Sequence, residues 1–179
     1  YLALREILHK ETIYKKIIVV RSVVPSRDMG FLPGTQKEKA QAYEEPYREI
    51  CDDLFSRGDG YQLLRMKGLV EFTTTSYLRG TTFRDAVVIV DECQNMTDAE
   101  IHTVMTRVGD NCRIVFCGDY RQTDLNKKSD QTGIFKFMDI AHRMRDFDFI
   151  EFGIDDIVRS DIVKQYIIAR TQLEELKAA

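Results

Sequence analysis

The stretch Val87-Val88-Ile89-Val90-Asp91-Glu92-Cys93-Gln94-Asn95-Met96 decides the fold. Four β-branched residues in a row predict a strand buried on both faces, the mark of a parallel sheet. Two adjacent carboxylates close it. Ligands in open parallel sheets sit at the carboxyl ends of the strands, which is where Asp91 and Glu92 fall. The first carboxylate after such a strand can hold Mg²⁺, usually through water, because Mg²⁺ dehydrates reluctantly and favours carboxylate and phosphate oxygens. The second can orient or deprotonate an attacking water. Together they write the metal-and-water end of a nucleotide-hydrolysis site. The same pattern also arises where a strand merely ends in a solvated acidic turn. The usual companion, a Gly-rich loop ending in Gly-Lys-Ser/Thr, does not occur within the 179 residues.

Other buried strands lie on either side. Lys16 to Arg21 is a short continuous apolar run, residues 69–74 (Leu-Val-Glu-Phe-Thr-Thr) are strand-like, and Cys112 to Cys117 reads as a third buried strand ending in Gly118-Asp119. A last strand is expected over Phe147 to Phe152. Helical patterns separate them. The first is the run from Tyr1, which has no N-cap residue before it and so predicts residues upstream. Residues 36–57 look helical, with Pro46 expected to end or kink the helix. Tyr61 to Lys67, 97–108, Ile134 to Met144 and Ser160 to Lys177 follow. Thr97 and Glu100 form a capping box for the helix over 97–108. Strands alternating with helices predict an α/β fold with a mainly parallel sheet covered on both faces. The expectation is a single domain over residues 1–179 with a mostly helical insert at about 36–68.

The bulk numbers agree with one buried core. Apolar residues make up 44% of the chain, and the 26 basic and 29 acidic residues leave a formal charge of −3. This argues against a basic arm or tail but not against a local basic groove. No apolar run approaches the length of a membrane span. The four cysteines form no C-x-x-C pair and, with three histidines, give no zinc spacing. Reduced thiols in a cytoplasmic core are the expectation.

Three strands end in groups suited to one site: Arg21, Asp91-Glu92 and Gly118-Asp119. Gln122 follows closely enough to contribute an amide. Arg79 in Tyr-Leu-Arg-Gly-Thr and Arg159 in Asp-Ile-Val-Arg-Ser offer guanidinium groups for a developing phosphoryl charge or a nucleic-acid phosphate; the plainer reading of each is a surface ion pair. His9, His102 and His142 lie in helical stretches and read as structural. Tyr43, Tyr47, Phe55 and Tyr61 interleave with Arg48, Arg57 and Arg65 and could stack on single-stranded nucleic acid. The acidic neighbours Glu44, Glu45, Asp52 and Asp53 favour a helix core with a solvated face instead.

These pieces, in this order, resemble the PhoH family of P-loop ATPases, related to the ATPase cores of superfamily-one helicases. The resemblance rests on Gly-Phe-Leu-Pro-Gly at 30–34, Pro46-Tyr47, Ser-Tyr-Leu-Arg-Gly-Thr-Thr at 76–82, Ile-Val-Asp-Glu-Cys-Gln-Asn-Met-Thr at 89–97, Met-Thr-Arg-Val-Gly at 105–109, Gly-Asp-Tyr-Arg-Gln-Thr-Asp-Leu at 118–125 and Asp-Asp-Ile-Val-Arg-Ser at 155–160. It implies a RecA-like P-loop NTPase fold, lacking in this chain its N-terminal strand and phosphate loop, with ATP and Mg²⁺ as cofactors. Since the family's loop is commonly followed by Tyr-Leu-Ala, the loop is expected to end just before Tyr1. By the same resemblance Asp91 would be the Mg²⁺ carboxylate and Glu92 the general base. Gln94, Asp119 and Gln122 would sense the γ-phosphate and water, and Arg159 would supply a transition-state arginine. Arg21 and Arg79 would help bind the nucleotide; many relatives have Pro after the first of these, where this chain has Ser22. Cys93 stands where Ala or Ser is commoner.

The first functional expectation is therefore ATP hydrolysis, coupled to RNA or another single-stranded nucleic acid, in an enzyme of no membrane. A ring of like subunits with Arg159 acting on a neighbour and a monomer with Arg159 in cis fit equally. The second is a non-catalytic module, truncated or degenerate, that works by assembly or by nucleic-acid binding. A third is a metal nuclease built on Asp91, Glu92, Asp119 and Asp124, although Gly-Asp-x-x-Gln suits phosphoryl sensing better.

Overall fold

A computed structural model describes residues 1–22, 36–119 and 128–178. The Gly30–Gly34 stretch, Gln122 and Asp124 lie outside the described residues. The chain divides into two compact units, Tyr1–Ala141 and His142–Ala179.

The first unit is built on four parallel strands. They are β1 (Lys16–Arg21), β2 (Val70–Thr74), β3 (Ala86–Asp91) and β4 (Cys112–Phe116), in spatial order β2-β1-β3-β4. Arg21, the last residue of β1, pairs in register with Thr74 of β2 and Asp91 of β3. The carboxyl ends are thus level, and the residues that follow them share one edge.

The continuous apolar runs bury both faces, as parallel strands require. On one face Ile17, Val19, Val70 and Val87 pack with Leu4 and Ile7 of α1 (Leu2–Ile7). Cys51 of α2 (Gln36–Leu54) and Tyr61 and Leu64 of α3 (Gly60–Met66) complete that cluster. On the other face Val20, Val88 and Val90 are fully buried. There the Phe116 ring meets Phe137 of α5 (Lys128–Ala141) at 4.4 Å. Gly133 of α5 lies so close to the start of α4 (Asp98–Met105) that a Cβ on it would fall 2.6 Å from the Asp98 nitrogen. Each fully buried Val contributes about 1.5–3 kcal/mol.

Three expectations are corrected. α2 runs unbroken through Pro46. Contacts on both sides of the proline hold it: Glu44 accepts bonds from Tyr61 and Arg65, and the Tyr47 ring packs on Phe72 at 5.7 Å. Such tertiary anchoring outweighs the roughly 3 kcal/mol that proline costs a helix interior. β4 is an edge strand, not a fully buried one. Its residues alternate between half-buried and exposed, with Val115 40% exposed, and among the described residues no strand pairs with its outer side. Residues 147–152, in the second unit, form no strand. Phe149 stacks on His142 at 3.9 Å and meets Phe147 at 6.4 Å, while Ile150 and Phe152 are exposed. Local ring contacts replace a ladder because no neighbouring strand among the described residues supplies one. The second unit ends in α6 (Asp161–Ala178). Among the described residues no helix is long and apolar enough to cross a membrane.

Candidate functional site

The level carboxyl ends of β1, β3 and β4 carry the candidate site. Its backbone is set by what happens after Asp91. Glu92 adopts a left-handed conformation, φ 52° and ψ 41°, which L-residues with long side chains rarely take. The chain then makes a single 3-10 turn, Cys93–Asn95, all three buried. Two hydrogen bonds tie the residue after β4 to this region: the Cys93 nitrogen of the turn donates to the Cys117 carbonyl at 3.0 Å, and the Cys117 nitrogen donates to the Val90 carbonyl of β3 at 2.8 Å. Thr97 then starts α4 with the expected capping box.

Within that frame the side chains converge. The Gln94 amide donates to Glu92 Oε2 at 2.6 Å. Gly118 fits directly over this pair; a Cβ there would collide with Gln94 Oε1 and lie 2.8 Å from Cys93 Sγ. The glycine after β4 is therefore demanded by close approach. Asp119 follows it and is exposed. Asp91 is half-buried, and the Tyr47 hydroxyl donates to its Oδ2 across 44 residues of sequence. The Arg21 guanidinium lies over the Tyr43 ring, 5.5 Å from its centroid. Burial first, then the bond to Asp91 and its charge, push the Tyr47 phenol far above its ordinary range; Arg21 only partly offsets this. Tyr47 is accordingly a neutral donor. Burial, then the neighbouring Cys117, push the Cys93 thiol up to about 12. Cys93 fills space and is no nucleophile.

Asp91, Glu92, Gln94 and Asp119 thus sit at adjoining strand ends, with Arg21 in register beside Asp91. Arg79 is exposed in the turn after β2, near Gly80, whose φ is 79°. Arg159 is exposed in the second unit, just before α6. Gln122 lies outside the described residues. Two contributors escaped sequence reasoning. The sequence offers Tyr47 as a nucleic-acid stacking candidate and as part of a Pro-Tyr stretch, not as a partner of Asp91. Glu100 looked like a cap only, yet its carboxylate also accepts from Ser22 Oγ at 2.9 Å and Thr75 Oγ1 at 2.6 Å, tying α4 to the segments that follow β1 and β2.

Asp91 and Glu92 are the residues here that could hold a Mg²⁺ ion. Their hard carboxylate oxygens stand at the ligand edge of a parallel sheet. Mg²⁺ is commonly held in this way, by one or two carboxylates completed by water and phosphate oxygens.

Comparison with known proteins agrees with this architecture. The sequence model of the family described as PhoH-like protein matches residues 1–170. The chain is 34% identical over 172 residues to a PhoH-like protein of Bacillus subtilis, covering 94% of this chain and 53% of that protein. It is 32% identical over 169 residues to Protein PhoH of Escherichia coli K12, covering 93% of this chain and 47% of that protein. Protein PhoH2 of Bacillus subtilis is 37% identical over 116 residues, 63% of this chain and 26% of that protein. The chain spans about half the length of the first two of these relatives. Its parallel sheet, the acidic end of β3 and the match along nearly its whole length make this chain a member of the PhoH-like family.

Proposed function

We propose that this chain carries the metal-and-water side of an ATP-hydrolysing site. The observation behind this is the convergence at the end of β3: Asp91 beside Arg21, and Glu92 held by Gln94 under Gly118. Asp91 would hold Mg²⁺, which when bound neutralises charge on the phosphates. Glu92 orients and deprotonates the attacking water. Gln94 fixes the Glu92 carboxylate and, with Asp119 and Gln122, senses the γ-phosphate. Arg21 and Arg79 bind phosphate charge, and Arg159 stabilises the transition state, from the same chain or from a second copy.

Topology supports the arrival of a phosphate loop at this same edge. Parallel crossovers within a sheet share a right hand. The crossover from β1 to β2 passes over the α1 face, through α2 and α3. A strand that precedes α1 in a longer chain would cross over that same face to reach β1, and so step in the same direction. With β3 and β4 already beside β1, the position left open among the described residues is the outer side of β4. The loop between that strand and α1 would then face Gly118 and Glu92, with the helix N-terminus toward the phosphates.

Coupling of hydrolysis to RNA or another single-stranded nucleic acid is the broader part of the proposal, and rests on the resemblance to helicase-like ATPases. The test is Glu92→Gln in the protein at its natural full length. Mg²⁺-dependent ATP hydrolysis should fall at least about 100-fold, with nucleotide affinity within about twofold of the parent. Normal turnover would remove Glu92 from the chemistry. Absence of any turnover or nucleotide binding in the parent would favour the non-catalytic module.

A further inference from the structure

We propose that Tyr47 is a positioning residue that presents the Asp91 carboxylate to the metal; this rests on the ATPase reading above. The carboxylate ends a strand, and its two side-chain torsions would otherwise let it turn freely. The Tyr47 hydroxyl binds Oδ2 and so leaves Oδ1 as the oxygen offered to the metal or its water. Tyr47 is suited to this because it is itself fixed. Its ring packs on Phe72 of β2, and its helix is pinned by the Glu44 bonds to Tyr61 and Arg65. Tyr43, one turn earlier on α2, lies under the Arg21 guanidinium. Arg21 and Asp91 are neighbours in the ladder. One helical turn of α2 therefore contacts both charged strand ends, Arg21 through the Tyr43 ring and Asp91 through the Tyr47 hydroxyl. The helical insert becomes part of the site through a hydroxyl and a ring face, not through charge.

The test is Tyr47→Phe in the protein at its natural full length, which keeps the ring against Phe72 and removes only the hydroxyl, with its bonds to Asp91 and Arg21. Two readouts are taken: the Mg²⁺ concentration that half-saturates ATP turnover, and the one that half-saturates thermal stabilisation by ADP. Both should rise on the order of tenfold or more, the loss expected for a hydrogen bond to a charged acceptor. Turnover at saturating Mg²⁺ should change less than about twofold. Ile101→Ala, a truncation buried in α4, serves as the stability control and should lower the melting temperature without a comparable shift in either Mg²⁺ midpoint. Unchanged midpoints in Tyr47→Phe, with Mg²⁺-dependent binding intact in the parent, would overturn the role of Tyr47 and leave the ATPase reading standing. Lowered midpoints would overturn it too, because the hydroxyl would then be competing with the metal. A parent protein with no Mg²⁺-dependent nucleotide stabilisation would remove both.

Discussion

Replacing Gly118 by Ala isolates the close packing on which the candidate site depends. The φ of Gly118 is not in the left-handed region, so an alanine there brings no backbone strain and acts only through its added carbon. That carbon would collide with Gln94 Oε1 and lie 2.8 Å from Cys93 Sγ and 3.2 Å from the Cys93 nitrogen. Gln94 is 5% exposed and has little room to retreat. Overpacking of this kind costs about 1–3 kcal/mol. Displacing the Gln94 amide from Glu92 adds about 1 kcal/mol. The sum is about 2–4 kcal/mol, which for a domain of this size lowers Tm by on the order of 10 °C. Thermal melts of Gly118→Ala, Gln94→Ala and the double variant form a cycle that identifies the obstacle. With Gln94 truncated, the alanine should cost about 1–2 kcal/mol less, since the worst contact is gone. A single variant that melts with the parent, or a cycle with no coupling, would refute the packing of β4 against the turn after β3.

Two further outcomes follow from contacts away from the strand ends. The Tyr61 phenol is raised above its ordinary value of 10.0 by burial first, then by its bond to Glu44 and that group's charge. Its folded pKa exceeds its unfolded one, so its contribution to stability is complete below pH 10.0 and declines as the pH rises above it. Tyr61→Phe should therefore lose less stability than the parent between about pH 8 and about pH 11, read as the shift in urea midpoint. At neutral pH that variant should be weaker by about 1–3 kcal/mol, because Glu44 keeps its burial and loses a donor. Glu100→Ala should destabilise more than Thr97→Ala in the same assay. The cap alone is worth about 1 kcal/mol, whereas Glu100 also holds Ser22 and Thr75. Equal effects would mean that Glu100 does no more than cap.

The parts of the fold readable in advance were those set by local pattern. Continuous β-branched runs located β1 and β3 to the residue, and the Thr97–Glu100 spacing marked the start of α4. The misread parts depended on neighbours. Cys112–Phe116 has the same apolar composition as a central strand, and only its place at the edge leaves Val115 exposed. The alternation over 147–152 suits a strand, but a strand exists only with a partner. Pro46 argued for a helix end by its own chemistry and was overruled by contacts made 17 and 21 residues away, from Glu44 to Tyr61 and Arg65. The same holds at the site. Asp91, Glu92 and Gly118-Asp119 were visible because strand ends are visible. The Tyr47 bond was not, because nothing local relates a helix of the insert to the end of β3.

The left-handed backbone at Glu92 also bears on how this sequence tolerates change. The position suits glycine or asparagine, and a carboxylate on a longer side chain is held there against its conformational preference. Selection for robustness alone would drift toward residues that relax the turn and would erase the carboxylate in doing so. On the ATPase reading proposed above, the glutamate is kept there for what its side chain does. Libraries screened for heat resistance should therefore be read with care at this codon: a hit there would gain stability by abandoning the residue that the candidate chemistry needs.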